Sequence, residues 1–274
     1  MVEYVIANAT VVPVRENPSE GAEQLTQLLF GEVCEVLDRL PRWTKVRSTL
    51  DGQEGWVDFK MVSLASSPIA SSPHRLEAVV AAPMAAATPM DGGADLLLTL
   101  GTRLPNYSHG TFEVLGQQYL IDPTCVSTAQ RSTGEADLQQ SDLQRSDLAT
   151  IAQSLLNAPY LWGGKNLMGM DCSGFTQVVY AAMGVNLLRN AREQMTQGEL
   201  IPCLSDAQPG DLAFFDHADR DPKATNISHV GLLLSPTEII HCSGCVHIDT
   251  IDEQGIHLAD GSLTHHLVQI KRYL

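Results

Sequence analysis

Three residues in the second half of the chain have side chains suited to nucleophilic catalysis. Cys172 lies at the start of a helix predicted over 172–183, where free N–H groups and the positive end of the helix dipole stabilise a thiolate. The same N–H groups can hold the oxyanion of a tetrahedral intermediate. His229 and His241 lie on two later predicted strands, and antiparallel pairing would bring their side chains face to face. Together the three predict a nucleophile, a base and a group that orients the base, in the papain-like order.

Each of these residues also has an ordinary structural interpretation when it is taken alone. A cysteine before a helix is usually a buried apolar residue, and a histidine at the mouth of an apolar strand is usually a satisfied structural group. The small residues Ser173 and Gly174, which follow Cys172, favour the functional interpretation because they leave room for a substrate.

The elements that would position these residues form an α+β pattern. A helix is predicted from a cap at Ser146-Asp147 to about Asn157, and further helices at 172–183 and 191–197. The rest of the segment is strand-like, at 211–215, 229–234, 238–242, 246–251 and 268–273. Helices followed by strands predict an α+β domain over 145–274.

The first half of the chain is rich in short strands instead. Residues 2–64 contain several strand-like runs with a turn signal at Asp51-Gly52, which is typical of a small β-barrel or sandwich. Residues 65–75 are rich in Ser and Pro and predict a linker, and 127–144 predict a polar linker that runs into a helix. A second β-rich stretch lies between them. The predicted domains are therefore 1–64, 76–126 and 145–274.

Composition and charge exclude several classes of partner. The chain has 274 residues and a formal net charge of −15, so its surface repels nucleic acid and anionic membranes. No stretch approaches the roughly 18 consecutive apolar residues of a membrane helix, and the first residues lack the features of a signal peptide. We therefore expect a cytoplasmic protein, with a leader missing from the given sequence as the alternative. The six cysteines are scattered and are expected to be free thiols.

Six blocks of the second half resemble the NlpC/P60 family of cysteine peptidases, in that family's order and over about residues 145–274. The blocks are Pro159-Tyr160-Leu161-Trp162-Gly163-Gly164, Asp171-Cys172-Ser173-Gly174-Phe175, Arg189-Asn190-Ala191-Arg192-Glu193-Gln194, Pro209-Gly210-Asp211-Leu212-Ala213-Phe214-Phe215, Ser228-His229-Val230-Gly231 and Ile240-His241. The resemblance implies a papain-like fold with Cys172 as nucleophile, His229 as base and His241 as the third polar residue. It also implies that Tyr160 lies close to the thiol. This chemistry requires no metal and no organic cofactor.

Residues 2–64 resemble a bacterial SH3-like domain through Leu28-Leu29-Phe30-Gly31-Glu32 and Glu54-Gly55-Trp56-Val57, and 76–126 is expected to be a second, diverged copy. Such domains before this peptidase are similar to the γ-D-glutamyl-L-diamino-acid endopeptidases of murein recycling. In that group the first SH3-like domain closes one end of the cleft, and acidic groups hold a free N-terminal L-alanine. The resemblance matches Asp171 to one such group and Glu32 to another.

The expected substrate is a small murein peptide with a free L-alanine, cut between γ-D-glutamate and a diamino acid, meso-diaminopimelate or lysine. The predicted substrate-binding residues are Asp171, Ser173, Tyr160 and Glu32. An Asp171 that is unpaired until the substrate binds would reject a blocked amine, at a cost of roughly 2–5 kcal/mol. Two alternatives remain: an acyltransferase that uses the same Cys-His core, and a silent protein that binds wall peptides. The sequence indicates no oligomeric state.

One further motif has the spacing of metal ligands. Cys242-Ser243-Gly244-Cys245, with His241 and His247 beside it, resembles half of a zinc site. A second Cys/His pair is missing, and zinc would sequester His241, so we predict a structural turn and no metal site. His265-His266 is expected to face solvent, and Trp162 is expected to lie in the core.

Overall fold

The computed structural model describes residues 2–65, 78–128, 138–217 and 226–274. The predicted linkers fall mostly outside these residues, at 66–75 and 129–137. The described residues form three units in chain order, two built of strands and one of helices and strands. The predicted α+β class of the last unit is confirmed.

The first unit is a seven-stranded antiparallel sheet in the order β3-β2-β6-β5-β4-β1-β7. Alternate residues of β2, Val12 and Val14, are buried, as expected for a strand with one face on a core. The strands are β1 Tyr4–Ala7, β2 Val11–Arg15, β3 Gln24–Leu29, β4 Val33–Arg39, β5 Trp43–Ser48, β6 Glu54–Asp58 and β7 Val62–Ala65.

The second unit shares a hydrophobic core with the first. Its strands form two small sheets, in the orders β10-β9-β13-β12 and β11-β8-β14. Leu98 and Phe112 pack in one buried cluster with Ile6 and Phe30 of the first unit, so the two units support each other. The strands are β8 Ala78–Val80, β9 Met84–Pro89, β10 Leu96–Thr99, β11 Arg103–Leu104, β12 Thr111–Val114, β13 Gln117–Ile121 and β14 Val126–Ser127.

The third unit places helices against a strongly curved sheet in the order β17-β23-β18-β19-β20-β21-β22. Strand β22 also pairs with β23, so the six strands β18 to β23 close into a ring. The elements are α1 Leu138–Gln153, β15 Lys165–Asn166, β16 Gly169–Met170, α2 Cys172–Ala181, α3 Ala191–Gln194, β17 Glu199–Ile201, β18 Leu212–His217, β19 His229–Ser235, β20 Glu238–Ser243, β21 Cys245–Ile251, β22 Gly255–His257 and β23 Leu263–Arg272.

Helix α2 is the element that joins the site to the core. Its residues Phe175 and Val179 are fully buried against Val230 of β19 and Ile240 of β20. The helix ends at Ala181, two residues earlier than predicted. Gly184 adopts a left-handed conformation (φ 75°), and the N–H of Val185 bonds to the carbonyl of Tyr180. The start of α2 is thereby fixed against the middle of the sheet.

The other two predicted helices differ from the observed ones at their ends. Helix α1 begins at Leu138, so Ser146-Asp147 lies inside the helix and does not cap it. Helix α3 ends at Gln194 and not at 197, because the chain tightens into i to i−3 bonds such as that from Thr196 N to Glu193 O. Among the described residues, none of the helices is long and apolar enough to cross a membrane.

Candidate active site

Cys172 is the first residue of α2, and the side chain of Asp171 caps that helix. The Asp171 carboxylate accepts a hydrogen bond from Gly174 N at 2.7 Å. The N–H of Cys172 belongs to the first turn and has no partner within the helix. The Cys172 side chain is buried, and it lines a cleft of about 530 Å³.

The surroundings of Cys172 act on the pKa of its thiol in opposite directions. Burial, with the charge of Asp171, raises the pKa of the Cys172 thiol to about 12. The backbone N–H of Val230, the Arg189 guanidinium and the backbone N–H of Ser173 act in the opposite direction. Burial therefore opposes the predicted stabilisation of a thiolate by the helix start. The thiol needs a base that takes its proton as it reacts.

His229 and His241 lie on neighbouring antiparallel strands, as predicted. Their rings are in hydrogen-bond contact, with His229 Nε2 2.8 Å from His241 Nδ1, and both side chains are buried. His241 is opposite Gly231 in the register, so the pair is diagonal. A Cβ atom on Gly231 would lie 2.9 Å from the Cβ of His241. A glycine at position 231 therefore leaves the space that the His241 side chain occupies.

A third strand adds a carboxylate to this pair. Asp249 of β21 holds its Oδ2 atom 3.2 Å from His241 Nε2. Burial lowers the pKa of His241, and the hydrogen bond from His241 lowers the pKa of Asp249. At neutral pH the line therefore runs from a charged Asp249 through a neutral His241 to His229.

The partners fix the tautomers of both rings. An ionised carboxylate only accepts, so the proton of His241 is on Nε2, and its Nδ1 accepts a hydrogen bond from His229 Nε2. A neutral His229 then carries its lone pair on Nδ1, the nitrogen left to act as a base. The N–H of Val230, the residue that follows His229, acts to lower the pKa of the Cys172 thiol, so this end of β19 lies close to the sulfur.

The cleft beside Cys172 is walled by the first and third units. Leu25 of β3 lines it together with residues of the third unit, which are Trp162, Asp171, Cys172, Ser173, Asn190, Ala191, Arg192, Glu193, Asn226, Ile227 and Ser228. Trp162 joins the third unit to the first, since its Nε1 donates to Glu23 at 2.7 Å and its carbonyl accepts from Gln24 at 3.1 Å. Trp162 is 60% exposed, so the prediction that it lies in the core is wrong.

The Asp171 carboxylate is already paired in the structure. It accepts five hydrogen bonds, from Gly163 N, Ser173 Oγ, Gly174 N and both terminal nitrogens of Arg189. The buried Arg189 also donates to Thr26 Oγ1 of the first unit at 2.7 Å. The expectation that Asp171 remains unpaired until a substrate binds is therefore wrong. Arg189 is its partner, although Asp171 does line the cleft.

Glu32 is not among the residues that line this cleft. It is buried and forms an ion pair with Lys165, at 2.9 Å from Nζ to Oε1. It lines a separate small cavity between the units. The predicted contact of Glu32 with a substrate is contradicted, because its charge is used to join the first unit to the third.

Tyr160 and Ser173 both lie near the nucleophile. Burial raises the pKa of the Tyr160 phenol, and the neighbouring Cys172 and Asp171 raise it further. Ser173 is buried, donates to Asp171 at 3.2 Å and accepts from Arg189 at 2.9 Å. Tyr160 therefore offers a half-exposed phenol beside the thiol, whereas the Ser173 hydroxyl is held by the ion pair.

Comparison with known proteins identifies the families of the first and third units. The sequence profile of the NlpC/P60 family matches residues 157–262, and that of a bacterial SH3 domain matches residues 10–63. The chain contains an NlpC/P60 domain and is a cysteine peptidase. Its catalytic domain follows an SH3-like domain, which confirms the predicted fold class.

Two curated relatives of this NlpC/P60 chain carry the name gamma-D-glutamyl-L-lysine dipeptidyl-peptidase. The protein from Bacillus subtilis is 29% identical over 79% of the chain and 71% of its own length. The protein from Bacillus cereus is 26% identical over 79% of the chain and 66% of its own length. A crystal structure of an NlpC/P60 family protein from Bacillus cereus has a TM-score of 0.79 and 20% identity over 99% of both chains. The fold is thus shared over the whole chain.

Two features of this NlpC/P60 site were missed in the sequence. The turn at Gly244 pairs His241 of β20 with His247 of β21, so residue 249 is the next residue on the same face of β21. The position of Asp249 therefore follows from the register of this hairpin. His265 was expected to face solvent, but it is buried, with its ring centroid 4.4 Å from that of His229. It packs against the base because β23 closes the ring of strands.

Proposed function

We propose that this chain hydrolyses the bond between γ-D-glutamate and an L-diamino acid, in murein peptides whose N-terminal L-alanine is free. The observation that carries the proposal is the hydrogen-bonded line from Asp249 through His241 to His229, whose neighbour Val230 approaches the Cys172 thiol at the wall of a cleft.

In this mechanism His229 activates the buried thiol. As the Cys172 sulfur attacks the peptide carbonyl, the thiol proton passes to Nδ1 of His229, which becomes an imidazolium. His241 stabilises that imidazolium through its Nδ1 atom, and Asp249 holds His241 in the required tautomer. The N–H of Cys172 donates a hydrogen bond to the oxyanion of the tetrahedral intermediate.

The second half of the reaction releases the two products. The His229 imidazolium gives its proton to the departing amine of the diamino acid, and a thioester remains on Cys172. Water then attacks the thioester carbonyl while His229 takes the water proton. The dipeptide leaves with a new carboxylate, and the proton returns to the thiol.

The cleft supports a short acidic substrate. Leu25 and Trp162 form a wall beside Cys172, which favours few residues before the scissile bond, as the name dipeptidyl-peptidase of the relatives implies. A γ-linked D-glutamate keeps a free α-carboxylate next to that bond. We propose that Arg192, an exposed cation in the cleft, pairs with this carboxylate, and that Glu193 gives the cleft negative charge for the free amine.

The test is hydrolysis of L-Ala-γ-D-Glu-diaminopimelate and its lysine counterpart, followed by mass spectrometry. The N-acetylated peptides and a Cys172→Ala variant serve as controls. We expect release of L-Ala-D-Glu from the free peptides only, and none with the variant. Equal cutting of the acetylated peptides would remove the requirement for a free amine. Transfer of the acyl group to an added amine, or binding without cutting, would replace hydrolysis by one of the alternative functions.

A further inference from the structure

Two residues of the relay that serves the base, together with the neighbouring His247, suit a metal ion. His241, His247 and Asp249 each offer one ligand atom, and these atoms lie within 4.8 Å of one another. His241 of β20 is the register partner of His247 of β21, and Asp249 is the next residue on the same face. This set differs from the Cys-x-x-Cys motif in the same hairpin. The Cys242 thiol is buried on the other face and contacts the carbonyl of Met170 at 3.1 Å.

The distances in this cluster suit tetrahedral zinc. Asp249 Oδ2 lies 3.2 Å from His241 Nε2 and 3.1 Å from His247 Nε2. Ligands bound at about 2.0–2.1 Å in a tetrahedral site are separated by roughly 3.3–3.4 Å, so small side-chain adjustments would admit the ion. Two imidazoles and one carboxylate are also ligands that zinc commonly uses.

The tautomer of His247 points to the same conclusion. Its Nδ1 lies 2.8 Å from the carbonyl of Cys245, which can only accept, so Nδ1 carries the proton. In the neutral ring the Nε2 lone pair then faces the Asp249 carboxylate at 3.1 Å, and two acceptors meet. A cation between them relieves this contact. A histidine ligand whose other N–H donates to a backbone carbonyl is the usual arrangement at metal sites.

We propose that His241, His247 and Asp249 form a zinc site that inhibits the peptidase. The inhibition rests on the proposed function of His229 and His241. Zinc would occupy Nε2 of His241, so the His241 proton must lie on Nδ1, which then donates to His229 Nε2. The proton of His229 moves to Nδ1, the nitrogen that has to accept the thiol proton. The number of protons is unchanged, but the lone pair of His229 now lies on Nε2, where it accepts from His241 and cannot take the thiol proton.

Direct binding tests the site without any need for activity. The Cys172→Ala protein, full length, would be titrated with cobalt(II) and followed by its visible d–d absorption, then competed with zinc. We expect a tetrahedral cobalt spectrum from this protein. The spectrum should be absent from a double variant that also carries His247→Ala. His257→Ala is the matched control, since His257 lies on neighbouring β22 and pairs with the exposed Asp252. A thiolate-to-cobalt charge-transfer band, or a spectrum unaffected by His247→Ala, would overturn the site.

Inhibition is measured separately on the active protein in a zinc buffer. We expect His247→Ala to keep its metal-free activity within about twofold, as a partly exposed substitution outside the reacting groups. It should raise the zinc concentration for half-inhibition by at least about tenfold, since loss of even an outer-shell partner costs that much in metal affinity. Equal inhibition of both proteins would mean that zinc acts on the Cys172 thiol, and would overturn the proposal. Inactivity of the zinc-free protein would refute the proposed function and leave the cobalt result standing.

Discussion

The two ends of the active site are held in different ways. The base end, from His229 through His241 to Asp249, lies on three consecutive strands joined by short connections. The nucleophile end depends on contacts between distant parts of the chain. Arg189 joins Asp171 to Thr26 of the first unit, and Lys165 is paired with Glu32 of that unit.

Because of this difference, we expect substitutions at the two ends to affect different properties, turnover at the base end and stability at the nucleophile end. The base end is a chain of hydrogen bonds that sets tautomers, so changes there should lower turnover while the fold persists. The nucleophile end contains buried ion pairs between units, and removal of one partner leaves a buried charge without compensation. Changes there should lower stability first and affect activity through it.

The sharpest test of the base end is His229→Ala. Without the base the thiol, whose pKa burial raises to about 12, has no acceptor for its proton. We expect kcat/KM to fall by about 10⁴-fold with an unchanged thermal midpoint. Steady-state kinetics on the free tripeptide would measure the loss, with His257→Ala as a control. A variant that retained a tenth of the activity would place the base elsewhere.

The sharpest test of the nucleophile end is Arg189→Met. The change leaves the Asp171 charge buried and unpaired, so we expect a loss of about 3–5 kcal/mol in the free energy of unfolding. Urea unfolding followed by fluorescence would measure it. Arg47→Met, which removes an exposed pair with Glu54, should cost no more than about 1 kcal/mol.

A double variant separates the ion pair from mere packing. Asp171→Asn combined with Arg189→Met removes both charges and should recover part of the lost stability. If the double variant is as unstable as the sum of the two single variants, the charges are not coupled, and the contrast between the two ends disappears.

The same contrast explains which parts of the site could be predicted from the sequence. His229 and His241 are separated by one short hairpin, so their strand pattern and order were enough to bring them together. Asp249 follows from the register of the next hairpin and was within reach of the same reasoning. Local pairing carries its own geometry, because a turn fixes which residues share a face.

The partners of the acidic residues could not be predicted in that way. Thr26 and Arg189, like Glu32 and Lys165, meet only because two units that are distant in the chain pack together. Neither periodicity nor spacing in the sequence indicates which two charged residues will pair across a contact between units. Asp171 and Glu32 were therefore assigned to a substrate, when most of their hydrogen-bonding capacity is used within the protein.

A smaller effect is expected at the far end of the relay. Asp249→Ala removes the acceptor that holds the His241 proton on Nε2, so a part of the molecules will carry the wrong tautomer. We expect kcat to fall by about 10²-fold with KM and the thermal midpoint unchanged, less than the loss measured when other enzymes lose such an orienting carboxylate. Asp252→Ala, at an exposed carboxylate on the next turn, is the control. A loss of stability that matched the loss of activity would make Asp249 a structural residue instead.

The smallest expected effect concerns the substrate and distinguishes the cleft from both ends. Arg192 is exposed, and within the part of the chain that the structure describes its guanidinium donates a hydrogen bond to the side chain of Asn226, so it is available to the α-carboxylate of D-glutamate. Arg192→Ala should raise KM and lower kcat/KM by about tenfold, the effect of one partly solvated charged hydrogen bond. A substrate with D-isoglutamine, which lacks that charge, should be cut equally well by both proteins. If the variant is impaired equally on both substrates, Arg192 supports the cleft wall and does not read the carboxylate.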